Sequence, residues 1–241
     1  MGRMELRVPA TLRTPALLAA LLLAAGCGRA VRTSPPAEAK PAVRAVFFGS
    51  STVAGTGATR PERTWTARLA QELRWTELNL GLPGSRLTQR PARIPSGEQR
   101  WPEVVAARPD VVVLMYGAND VDGNVPLGEP GTPGTFRHAA AQVLGQLHRA
   151  LPRTVLVVCS PQPARALEEK RGPYDQALAE AAAAVGALYV PGDQAFPSAR
   201  LDALARDRLH LNDAGHAELA RFVAARLHAA NVAAQGGRSP R

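Results

Sequence analysis

A chain of 241 residues that is 46% apolar, 20% charged and 5% aromatic is long enough for one well-buried domain and short for two. The composition excludes disordered, collagen-like and coiled-coil classes. The formal charge of +9 suggests nucleic-acid binding until it is located: residues 1–26, residues 27–42 and the tail after Ala234 each carry +2, leaving +3 on Val43–Ala234. The arginines of that body are interspersed with acids and form no dense run, so nothing marks a nucleic-acid footprint.

At the N-terminus, Arg3, Arg7 and Arg13 precede the apolar run Ala16–Ala25, which is followed by Gly26 and Cys27. The run is too short to span a bilayer of about 30 Å. It reads as a targeting segment to be kept out of the fold. Leu23-Ala-Ala-Gly-Cys27 resembles a bacterial lipobox, whose cysteine accepts a diacylglycerol and becomes the new N-terminus. The usual pattern has Leu three residues before the cysteine, where this chain has Ala24. An ordinary signal cleaved near Ala25 or Ala30 is the alternative. The organisation expected is a signal peptide over 1–26, a lipidated Cys27 with a proline-containing tether over 27–42, one domain over 43–234 and a disordered tail over 235–241. The exported protein would face the periplasm or cell surface, anchored through Cys27. Cys159 would then have no disulfide partner.

Within the body, strand-like and helix-like segments alternate. Ala45–Phe48 is a short apolar run, Thr64–Arg74 shows helical spacing with Trp65, Leu69 and Leu73 on one face, and Glu77–Leu80 is a weaker strand. Gln99–Arg108 is a helix closed by Pro109, and Val111–Tyr116 is a strand apolar throughout. Phe136–Leu151 is helical, Thr154–Cys159 is a second fully apolar strand, and Tyr174–Val185, Ala187–Val190 and Ala214–Ala230 follow as helix, strand and helix. Apolar runs without period-two alternation belong to strands covered on both faces. Their alternation with helices predicts right-handed βαβ units. The expected fold is α/β, a three-layer α/β/α sandwich on a five-stranded parallel sheet, with its site at the carboxyl ends of the strands.

The residues at those strand ends carry chemistry. Gly49-Ser-Ser-Thr-Val-Ala-Gly55 follows the first strand, Asn79-Leu-Gly-Leu-Pro-Gly84 spans the end of the second, and Gly117-Ala-Asn-Asp120 follows the third. Asp207-Arg-Leu-His210 lies just before the last helix. A serine hydroxyl needs an adjacent base to become a nucleophile, and an imidazole can take that proton and return it. A carboxylate three residues earlier can orient the imidazole, while an amide and backbone N–H groups can bind an oxyanion. Taken singly, each segment is as well explained by a turn or a solvated loop. Asn212 or Asp213 reads as an N-cap and His216 as structural. His138, His148 and His228 have no ligand-like partners that would make a metal site. Cys159 reads as a core thiol.

Together and in this order, the four segments resemble the blocks of the SGNH (GDSL) hydrolase family over about residues 43–231. The resemblance implies a flavodoxin-like fold and no metal or organic cofactor. It puts the nucleophile at Ser51, oxyanion donors at Gly84 and Asn119, and the acid–base pair at Asp207 and His210. Ser50 stands where the family usually has Asp, and Thr52-Val53 replaces an apolar-then-Thr pair. The first departure leaves Ser50 and Ser51 both open as nucleophile, and spacing from Gly49 and Gly55 favours Ser51. The expected activity is serine-dependent hydrolysis of carboxylic esters, on a small-molecule or O-acetylated carbohydrate substrate. An acyltransferase with the same site and an inactive binding lipoprotein are the rivals. The stretch Val121–Gly134 has only three aliphatic side chains besides its prolines, Val121, Val125 and Leu127. That is too few for a long-chain slot, so short acyl groups are expected.

Overall fold

A computed structural model describes residues 42–89 and 93–232. The targeting segment, Cys27, the tether and the tail lie outside the described residues. Five strands, β1 (Arg44–Gly49), β2 (Thr76–Gly81), β3 (Val111–Met115), β4 (Val155–Cys159) and β5 (Leu188–Val190), form one sheet in the order β2-β1-β3-β4-β5. Every neighbouring pair is parallel. All five strands and the five longer helices foreseen from the sequence are present, with no end shifted by more than two residues.

Successive side chains of β1 go to opposite faces, and both faces are covered, which is why the strand shows no polar alternation. Ala45 and Phe47 join one apolar cluster, and Val46 and Phe48 join the other. On the first face α2 (Trp65–Leu73) and α8 (Asp213–Ala229) bring Trp65, Leu69, Leu219 and Val223 against Phe47, Val113 and Val157. On the second, α3 (Gly97–Ala106), α5 (Phe136–Ala150) and α6 (Gly172–Ala184) bring Val104, Phe136, Leu144 and Leu178 against Phe48, Val112 and Leu114. Helix α3 begins two residues earlier than its apolar spacing suggests. Ser96 and Gln99 form a reciprocal capping box there, meeting backbone N–H groups that would otherwise be orphaned.

Three short helices carry no periodic signal because they are too short to show one: α1 (Ser51–Ala54), α4 (Ala118–Asp122) and α7 (Leu201–Leu204). Two of them open directly off strand ends. Register aligns Gly49 with Gly81 on one side and with Met115 on the other. The chain therefore leaves β1, β2 and β3 at one level, and residues 50, 82 and 116 start side by side on a single rim.

Candidate active site

Ser51 is the first residue of α1, immediately beyond the β1 end. The turn is tight: a Cβ at Gly49 would lie 2.3 Å from the Met115 carbonyl oxygen and 2.4 Å from Val53 Cγ2, so glycine is required by close approach. Two side chains pin α1 from outside. Trp65 Nε1 donates to the Thr52 carbonyl at 2.9 Å, and Asn79 Nδ2 donates to the Val53 carbonyl at 2.7 Å.

The Ser51 hydroxyl meets His210 Nε2 at 3.1 Å, within reach for proton transfer. His210 Nδ1 lies 2.9 Å from Asp207 Oδ2. A carboxylate only accepts, so Nδ1 carries the hydrogen and Nε2 is left to accept from Ser51. The other carboxylate oxygen, Oδ1, accepts the backbone N–H groups of Leu209 and His210, each at 2.8 Å. Partial burial would by itself raise the Asp207 carboxyl, but the His210 N–H, the imidazole and the Leu209 N–H outweigh it and hold it down at about 2. Asp207 is therefore ionised throughout the neutral range. Ser50 is equally buried and makes no hydrogen bond to the imidazole.

The expected oxyanion donors are tied to each other. Asn119, on α4, donates from Nδ2 to the Ser85 carbonyl at 2.8 Å, and Ser85 directly follows Gly84. One Nδ2 hydrogen remains for a ligand. Gly84 adopts φ +78°, a left-handed conformation that disfavours any side chain, and Ile94 Cδ1 sits 2.8 Å from where its Cβ would be. Ile94 is itself 42% exposed. Asp120 adds a support that motif matching located without a role. It is fully buried, and its two oxygens accept the N–H groups of Leu87 at 2.9 Å and Thr88 at 3.0 Å. Burial pushes its carboxyl up, against those two hydrogen bonds. Asp120 thus clamps the Gly84–Thr88 loop to the helix that carries Asn119. Its place next to Asn119 was the available signal.

A model of the GDSL-like lipase/acylhydrolase family matches residues 47–218. The chain belongs to this family. As a GDSL-like acylhydrolase it is an ester hydrolase, and its sheet and helices match those of solved relatives. A putative GDSL-like lipase from Bacteroides ovatus is 13% identical with a TM-score of 0.63, over 78% of this chain and 99% of that one. A catalytic mutant of an acetylxylan esterase from Geobacillus stearothermophilus is 23% identical with a TM-score of 0.60, over 78% and 96%. The acetyl xylan esterase AlAXEase is 22% identical with a TM-score of 0.58, over 78% and 99%. Comparison with curated protein sequences found no significant match.

The remaining polar residues of this acylhydrolase near the site serve its architecture. Asn212 caps α8, accepting from the Ala214 and Gly215 N–H groups at 2.9 and 3.0 Å. Asp213, the other N-cap candidate, instead binds the Thr59 N–H and hydroxyl and Arg63 Nη1 at 2.7–2.8 Å, joining α8 to the loop that follows α1. His216 is fully buried. Its Nδ1 accepts from the Trp65 N–H and its Nε2 donates to the Thr56 carbonyl, both at 3.3 Å, and burial lowers its pKa. Cys159 is a core thiol whose pKa burial pushes up to about 12, so it is no nucleophile near neutral pH.

Proposed function

We propose that this hydrolase removes short acyl groups, acetyl foremost, from a carbohydrate or other small alcohol through an acyl-enzyme on Ser51. The observation that carries the proposal is the unbroken chain Ser51 Oγ to His210 Nε2, then His210 Nδ1 to Asp207 Oδ2, at 3.1 and 2.9 Å. In the first half-reaction His210 Nε2 takes the Ser51 proton as Oγ attacks the acyl carbon. The oxyanion is received by the free Nδ2 hydrogen of Asn119 and by the N–H groups of Gly84 and Ser51. Collapse breaks the bond to the alcohol oxygen, which leaves with the proton from Nε2. Water, deprotonated by the same nitrogen, then cleaves the acyl–Ser51 bond and releases the acid. Asp207, ionised and fixed, keeps the imidazole in the required tautomer and stabilises its charged form.

The preference for short acyl groups is supported by where the nearby aliphatic side chains go. Val121 and Val125 are buried in the apolar clusters and Leu127 packs against one of them. None is free to line a slot, and each methylene of a long chain needs apolar surface to gain its roughly 0.8 kcal/mol. The exposed Ile94 lies beside Gly84, a single apolar side chain that suits a short acyl group better than a long one. Similarity to acetylxylan esterases supports an acetylated sugar. The test is a series of chromogenic esters from acetyl to palmitoyl, below micelle formation, on the chain without residues 1–42. We expect kcat/KM to be highest for acetyl or butyryl; a steady rise towards palmitoyl would overturn the short-chain preference.

We also propose export and anchoring through a lipidated Cys27, on the strength of the lipobox-like Leu23–Cys27 alone. Wild type is expected in the membrane fraction and Cys27→Ser without lipid. Wild type recovered wholly soluble from the periplasm would favour a simple cleaved signal.

A further inference from the structure

Beyond β4 the chain runs over the rim as Ser160–Arg171, a segment with no expected catalytic role. It meets the loop bearing Asp207 and His210 in three ways. Ala166 N–H donates to the Arg208 carbonyl at 3.1 Å. Leu209 packs on a small apolar cluster of Ala118, Val121, Ala164 and Leu167, which also includes the helix carrying Asn119. Third, Gln162 Nε2 donates to the Leu209 carbonyl at 2.9 Å.

The third contact stands apart because of what lies across the peptide. The Leu209 carbonyl and the His210 N–H are the two ends of one planar amide, and that N–H donates to Asp207 Oδ1 at 2.8 Å. Gln162 therefore feeds one end of a hydrogen-bond chain whose other end is the carboxylate that orients His210. Serial bonds of this kind polarise and align one another. Gln162 is itself held from behind: Arg171 donates to the carbonyls of Gln162, at 2.9 Å, and of Pro161, and is paired with Asp175 at 2.6 Å.

A fully buried amide is an expensive way to fill this position. Gln162 is 0% exposed, and its Oε1 finds no hydrogen-bond partner among the described residues, a cost that an apolar side chain of similar volume would avoid. What an apolar side chain lacks is the N–H aimed at Leu209.

Accepting Ser51, His210 and Asp207 as the catalytic groups, we propose that Gln162 is a positioning residue, its buried amide holding the 209–210 peptide so that Asp207 and His210 stay aligned on Ser51.

A double-mutant cycle tests this with Gln162→Met, similar in volume but without a donor, in wild-type and Asp207→Asn backgrounds. The readouts are turnover of an acetyl ester, labelling of Ser51 by a fluorophosphonate, and melting temperature. In the wild-type background kcat should fall by about tenfold to a hundredfold, the scale of a small misplacement of reacting groups, with KM nearly constant. In the Asp207→Asn background the same substitution should cost no more than about twofold, since the two residues act through one chain. Equal losses in both backgrounds, or a lowered melting temperature with unchanged kcat, would overturn the proposal. Gln162→Leu repeats the cycle if the Met variant does not fold, and failure of both to fold would make Gln162 a core residue only. Wild type that neither turns over esters nor is labelled at Ser51 overturns the serine mechanism itself; labelled wild type with a fully active Gln162→Met variant overturns only the role of Gln162.

Discussion

Ser51 and the Asp207–His210 loop, the two halves of the proposed catalytic pair, are held by different balances of packing and hydrogen bonding. Ser51 is 5% exposed, on a turn set by the contact of Gly49 with Met115 and pinned by Trp65 and Asn79. Its surroundings are close-packed and leave it one position. His210 and Asp207 lie on a loop between α7 and α8, with the Asp207 side chain 52% exposed. Leu211 is buried in the core and Leu209 packs on a smaller apolar cluster, and a dense set of hydrogen bonds fixes the rest of the loop: Asp207 accepts from its own backbone, Gln162 and Ala166 donate to the loop, and Asn212 donates to the Ala203 carbonyl. If Ser51 is the nucleophile and His210 its base, the buried serine should be insensitive to charge, whereas the more exposed Asp207–His210 loop should respond to the loss of single hydrogen bonds.

The largest effect expected is at the packed end. Ser51→Ala should abolish both turnover and fluorophosphonate labelling, while Ser50→Ala should keep most activity, because only Ser51 reaches His210. The reverse result would move the nucleophile to Ser50. At the polar end His210→Ala should be almost as severe, and comparison with His216→Ala separates the two histidines. His216 touches only Trp65 and Thr56 by hydrogen bonds, so its removal should cost about 1–3 kcal/mol of stability, the penalty for a buried group left unmet, with kcat per folded molecule nearly unchanged. Equal kinetic damage from both would show that packing around α8, rather than the imidazole of His210, controls the rate.

Asn119→Ala comes next. Loss of one oxyanion donor should lower kcat by about 10²–10³. A loss below about tenfold would remove Asn119 from the oxyanion site. Because Asn119 also holds Ser85, a paired measurement of melting temperature distinguishes a missing donor from a loosened loop.

The smallest effect is a linkage one at the polar end. The Thr59 N–H, Arg63 and the Thr59 hydroxyl hold the Asp213 carboxyl well below the usual carboxylate range. A carboxylate lowered on folding stabilises the fold above its unfolded pKa of about 4, and that stabilisation disappears as pH falls through the lower folded value. Asp207, held at about 2, acts in the same direction. Wild type should melt above Asp213→Asn at pH 6, and the gap between them should shrink steadily from pH 4 towards pH 2. A gap independent of pH would mean that the Thr59–Asp213 link contributes through shape rather than charge.

Much of this protein was legible in the linear chain. The apolar runs at 45–48, 111–116 and 155–159 are short and rich in β-branched residues, as strands covered on both faces are, and their alternation with amphipathic helices leads to a parallel three-layer sandwich. Groups with acyl-transfer chemistry stand at the ends of those strands, and strand ends are where such a sheet places its site. Local pattern was weak where elements are short: α1 and α4 span four and five residues, less than any periodicity needs. It was silent on partners distant in sequence. Nothing near Asp213 names Thr59, nothing near Asn119 shows that its amide would be tied to Ser85, and Gln162 lies 47 residues from the carbonyl it holds. Residue identity and strand order determined which groups could react. Only the tertiary structure decided which of them touch, because hydrogen bonds between loops depend on the register of the sheet beneath them, and that register is a property of the whole packed chain.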